Sequence, residues 1–124
     1  MNETLLYIGS AIIILWGIAH IIPTKSIVAG FGDISQDNKK IITMESIAEG
    51  LTLIFIGVLV LFIAVWGTPQ NPVSCFVYRI SAAMLLFMAA LTLLTGARTS
   101  IIWYKICPAV KTVVAVLFIL GSTL

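Results

Sequence analysis

Apolar residues fall into four long runs along the chain, separated by shorter polar stretches. Each run approaches the ~20 residues that a helix needs to cross a bilayer core. The pattern predicts helices over about 4–22, 38–66, 74–97 and 107–123. Pro23 ends the first, because a proline cannot continue a helix without losing a hydrogen bond. Ser35 or Asp37 is placed to cap the second, since either side chain accepts from the free N–H groups of a first turn. The run Gly67-Thr68-Pro69-Gln70-Asn71-Pro72 predicts a tight turn, and Pro108 suits the first turn of the fourth helix.

Small residues recur every seventh position within the runs: Ser10 and Gly17; Gly50, Gly57 and Ala64; Ala82, Ala89 and Gly96; Ala115 and Ser122. Small side chains let helix backbones approach where lipid removes the hydrophobic drive. A seven-residue period favours left-handed crossings near +20°. The expected fold is therefore all-α: an integral membrane antiparallel four-helix bundle with left-handed packing, formed as one domain over 1–124.

Composition narrows the picture. The chain is 60% apolar and 10% charged, against roughly 25% charged residues in soluble domains, so lipid bilayer is the expected surrounding. A net charge of +2 is too small and dispersed for the dense basic face that nucleic acid requires. The first run lacks a basic n-region and a small-residue cleavage site, so it reads as a span and not as a leader. Lys25, Lys39, Lys40, Arg98 and Lys105 lie in the first and third connections, whereas the opposite side offers only Arg79. The positive-inside rule then places both termini outside a cytoplasmic (inner) membrane. Cys75 and Cys107 are expected at opposite faces, with Cys107 just ahead of the fourth span. That separation far exceeds the roughly 7 Å Cα limit of a disulfide.

Against this background the ionisable residues within the spans stand out, since each costs roughly 2.5–3.5 kcal/mol in hydrocarbon. Glu45, Glu49 and Thr52 follow i, i+4, i+7 and share one stripe of the second helix. His20, three residues before Pro23, should reach the level of Glu45 in an antiparallel hairpin. The third helix adds Ser81, Met84, Met88, Thr92, Thr95 and Thr99. Lys111 comes from the fourth, and Arg98, Trp103 and Tyr104 come from the third connection. These groups predict a pocket open toward the cytoplasm. His20, Glu45 and Glu49 form a candidate metal set, because imidazole and carboxylate both suit first-row metals. Alternatively, His20 and Glu49 act as an acid–base pair, with Glu45, Thr52, Thr92, Thr95, Lys111, Arg98 and Trp103 around the ligand. The competing structural reading is that pairs such as Lys111–Glu49 or Arg98–Glu45 only hold helices in register. With one histidine in the chain, bis-His haem ligation within one molecule is ruled out, and no cofactor is named.

The connection over 23–37 is long for a linker, and long loops often serve function. Ile27, Val28, Phe31 and Ile34 can seat it on the membrane surface or over the pocket as a lid, with Gly30 and Gly32 giving flexibility. Asp33-x-Ser35-x-Asp37 lacks the glycine and final glutamate of a calcium loop. Gly30-x-Gly32 lacks the remainder of a dinucleotide fingerprint.

The segment Trp16-Gly17-Ile18-Ala19-His20-Ile21-Ile22-Pro23-Thr24, together with four compact spans covering nearly the whole chain, resembles the DoxX-like group of small bacterial four-helix membrane proteins. The resemblance implies a link to respiratory or redox membrane systems and assigns no site residue. Three functional expectations follow. The first is binding of a small ligand, cofactor or ion in the His/Glu pocket. The others are acid–base catalysis on a lipid or isoprenoid-like substrate, and service as an accessory subunit of a larger membrane complex or a homo-oligomer.

Overall fold

The computed structural model describes residues 2–68 and 71–124, so Met1 and the Pro69-Gln70 portion of the expected turn lie outside the described residues. The chain forms α1 (Glu3–Ile21), α2 (Thr24–Ala29), α3 (Gln36–Trp66), α4 (Pro72–Leu94), a 3₁₀ turn at Gly96–Arg98 and α5 (Ile102–Thr123). Four of these helices are long and apolar enough to cross a membrane, and no strand occurs among the described residues.

Local chemistry fixes most boundaries. Asn2 Oδ1 accepts from the Leu5 N–H, Ser35 Oγ from Asn38 and Asn71 Oδ1 from Val73, so α1, α3 and α4 each start on a side-chain cap. Pro72 opens α4, where its missing N–H costs nothing. At the end of α1, Thr24 Oγ1 donates to the carbonyls of Ile21 (2.8 Å) and His20 (3.3 Å). Those contacts satisfy carbonyls left free where α1 ends, and they tie the start of α2 to α1. The first connection is thus partly helical, not a plain loop. Within it, Gly30 has ordinary right-handed geometry, and only Gly32, at φ 74°, uses conformational freedom particular to glycine.

Two boundaries depart from expectation. The fourth long helix begins at Ile102, so Pro108 and Cys107 lie inside it, not at its start and before it. The third ends at Leu94 and relaxes into the 3₁₀ turn, which carries Gly96 and Ala97 out of the helix proper.

The helices pack antiparallel in the spatial order α3, α1, α5, α4, and of the neighbouring long helices α3 and α4 touch least. Glycine makes the α1–α3 contact possible. A Cβ on Gly17 would lie 2.7 Å from the Gly50 carbonyl oxygen, and one on Gly57 would lie 2.5 Å from Ile14 Cγ1. At the far end the Asn2 N–H donates to the Gly121 carbonyl at 2.9 Å, joining the beginning of α1 to the end of α5. A core of Leu6, Ile13, Leu53, Val60, Tyr78, Leu85, Val114 and Phe118 fills that half of the bundle. Its exterior is also apolar, with Leu15, Phe55, Phe76 and Phe87 all more than 60% exposed. Such a surface suits lipid and opposes water.

Candidate functional site

The other half of the bundle is hollow. Two cavities open there, of about 450 and 500 Å³, and both are bounded by Glu49 and Tyr104. The first lies between the end of α1, α2, α3 and the beginning of α5. Trp16, Ile22, Pro23, Ile27, Ile101 and Trp103 give it apolar walls, with His20 and Glu49 as its polar floor. The second follows the gap where α3 and α4 meet least. Glu45, Thr52, Met84, Met88, Thr92 and Thr95 line it.

Glu49 is the central group. Its Oε1 accepts from Lys111 Nζ, and its Oε2 lies 3.8 Å from His20 Nε2. The Lys111 side chain is fully buried, whereas 31% of the Glu49 side chain remains accessible. Lys111 also donates to Thr92 Oγ1 at 3.0 Å, and Thr92 in turn donates to the Met88 carbonyl at 2.9 Å. The ammonium thus reaches α3 and α4 together across their gap. A buried charge left without such partners is strongly unfavourable, so α5 serves as the strut between those helices.

His20 is oriented by its own helix. Nδ1 lies 3.0 Å from the Trp16 carbonyl oxygen, one turn earlier. A carbonyl oxygen only accepts, so Nδ1 carries a proton, and in its neutral form the ring presents an Nε2 lone pair to the site. Facing that lone pair is Cys107 Sγ at 3.6 Å. Trp16 Nε1–H donates to the same sulfur at 3.3 Å. His20, Glu49 and Cys107 therefore offer one ligand atom each, all within 4.8 Å of one another.

The remaining expected residues take other places. Glu45 is exposed and lines only the second cavity, so the compact group contains Cys107 where the sequence suggested Glu45. Thr52 and Thr95 turn their hydroxyls to the carbonyls of Ala48 and Leu91, bonding within their own helices, although both border the second cavity. Trp103 is 66% exposed and walls the first cavity. Arg98 lines neither cavity, and no Arg98–Glu45 ion pair is present among the described residues. Both cysteines are free thiols.

Cys107 is the candidate site residue that sequence reasoning missed. With the helix begun at Ile102, Tyr104, Cys107, Lys111, Val114 and Phe118 follow a 3–4 spacing and share one inward face. That periodicity runs through Pro108 and was the available signal.

Comparison with known proteins adds no relative: no family model matches the chain, and neither a curated protein nor a solved structure does.

Proposed function

We propose that this chain is a multi-pass membrane protein that binds a small, largely apolar molecule in the first cavity, polar end inward against Glu49 and His20. The observation that carries the reading is the contrast between wall and floor. Hydrophobic and aromatic side chains surround a cavity of about 450 Å³, within the ~300–1,000 Å³ usual for ligand sites, and its few polar groups converge at one place. Lys111 is the counter-charge for Glu49, and Trp103 is a cover for the apolar body of the ligand. The Lys- and Arg-bearing connections mark the cavity end as cytoplasmic by the positive-inside rule, with both termini outside an inner membrane.

The test is native mass spectrometry of the full chain in mild detergent. Wild type should retain a small organic molecule or lipid. Ala19→Trp, which fills the cavity from an accessible position on its wall, should lose it while remaining helical and monodisperse. Glu49→Gln should weaken retention by removing the charge at the floor. Equal retention by wild type and a folded Ala19→Trp protein would overturn the reading.

A further inference from the structure

We infer that His20, Glu49 and Cys107 form a binding site for one divalent first-row transition metal ion, with zinc the best match to the donor set. The inference rests on the preceding reading only in placing the open coordination position toward the first cavity.

The argument begins with which nitrogen of His20 is used. Nδ1 is held by the Trp16 carbonyl at 3.0 Å, and Cys107 lies on the opposite nitrogen, as a thiol and an orienting group would in a nucleophile–base pair. What such a pair does not require is the carboxylate on the same side: Glu49 also approaches Nε2, at 3.8 Å. Sulfur, imidazole nitrogen and carboxylate oxygen, all within 4.8 Å of one another, make up a ligand set. An Nδ1–H held by a backbone carbonyl is also the usual outer partner of a metal-bound histidine, because it fixes the tautomer and aims the other lone pair.

Distances agree with this assignment. Zinc bonds of about 2.3 Å to sulfur and 2.0–2.1 Å to nitrogen place those two atoms about 3.5 Å apart across a tetrahedral angle. Cys107 Sγ and His20 Nε2 are 3.6 Å apart. An oxygen ligand at about 2.0–2.2 Å would lie about 3.4 Å from that nitrogen. Glu49 Oε2 is at 3.8 Å, on a side chain with room to move into the cavity. Thiolate, imidazole and carboxylate together suit zinc better than magnesium or calcium, which prefer all-oxygen shells.

Charge balance then constrains the fourth ligand. With Glu49 paired to Lys111, and counting Cys107 as a thiol and His20 as a neutral ring, the metal-free group carries no net charge. Binding M²⁺ releases the Cys107 proton to solvent. The sum over metal, thiolate, carboxylate and ammonium becomes +1. An anionic oxygen from the cavity, hydroxide or a ligand carboxylate, neutralises it at the open position. Trp16 Nε1–H remains on the sulfur as a second hydrogen-bond donor.

Cobalt(II) substitution of the full chain in mild detergent tests the site, because Co²⁺ reports sulfur ligation and tetrahedral geometry separately from any organic ligand. Wild type should take up one equivalent, with a near-ultraviolet thiolate-to-cobalt band and intense visible d–d bands, both displaced by Zn²⁺. Cys75→Ala should keep every band, since Cys75 sits at the opposite end, directed at the Ser122 carbonyl. Cys107→Ala should lose the near-ultraviolet band and bind at least tenfold more weakly. If Cys107→Ala does not fold, Cys75→Ala still decides, because its only remaining sulfhydryl is Cys107. Absence of bands in wild type, their loss in Cys75→Ala, or their persistence in Cys107→Ala would overturn the proposal. These spectra are independent of organic-ligand retention in native mass spectra, so failure of one reading is distinguishable from failure of the other.

Discussion

The two halves of the bundle are built from the same four long helices and differ in how those helices meet. In the half holding Leu6, Val60, Tyr78 and Phe118, side chains interlock and the ends of α1 and α5 are tied by a backbone hydrogen bond. In the half holding His20, Glu49 and Lys111, α3 and α4 stand apart and polar groups bridge the space. One helix shows both behaviours. Gly50 and Gly57 bring α3 against α1, while Glu45, Glu49 and Thr52 on another stripe face open volume. Small residues set where helices close; charged and long side chains set where they remain open.

The largest effect should come from the bridge. Glu49→Leu strands the fully buried Lys111 ammonium on Thr92 alone and should cost about 3–5 kcal/mol, the range for breaking a buried pair. Lys111→Met should cost less, because the partly accessible Glu49 can still meet water in the cavity. The double variant should recover most of the loss, since an apolar replacement of a buried pair is often neutral. Unfolding in mixed detergent, followed by helicity, measures all three. Equal costs for the two single variants would mean that both charges are equally desolvated, against the arrangement described.

A smaller contrast tests the glycines. Gly17→Ala should cost about 1–3 kcal/mol, because its Cβ meets the backbone of α3 and backbone cannot step aside. Gly96→Ala should stay within about 0.5 kcal/mol, since its Cβ comes no closer than 3.4 Å to the Tyr104 ring. The same unfolding assay compares them. Smallest of all, Trp103→Ala should leave stability within about 0.5 kcal/mol while reducing retention of the organic ligand, because its side chain is mostly exposed. A Trp103→Ala protein that unfolds early would show that the hollow half depends on its rim for stability.

Much of the helical framework was legible in the sequence. The seven-residue repeat of Ser10, Gly17, Gly50 and Gly57 identified the surfaces that form the α1–α3 contact. The cap at Ser35 and the stop at Pro23 followed from local chemistry that acts over three or four residues. Legibility fell where a local signal had two meanings. Pro108 reads as a helix start, yet it lies within α5. Its fixed φ is compatible with a helix, and only its missing N–H must be accommodated. Beginning the helix there removed Cys107 from the inward face and left the carboxylate set one ligand different. Glu45 and Glu49 illustrate the complementary limit: both lie on one stripe, but only the distances between α1, α3 and α5 reveal which meets His20. Lys111–Glu49 was foreseeable as a pair of opposite charges, whereas its extension to Thr92 depended on a gap that composition cannot announce.

The pairing of Lys111 with Glu49 spans 62 positions of the chain, and ribosomes release residues in order. In the membrane reading proposed above, Glu49 therefore enters the bilayer with α3 long before α5 exists, and it stays without its cation through the synthesis of α4. A chain arrested before α5 displays an unmatched carboxylate at a depth where such a group is expensive. Completion of the last helix removes that mark. On that reading, the same contact that joins three helices in the finished bundle would distinguish whole molecules from fragments during their manufacture.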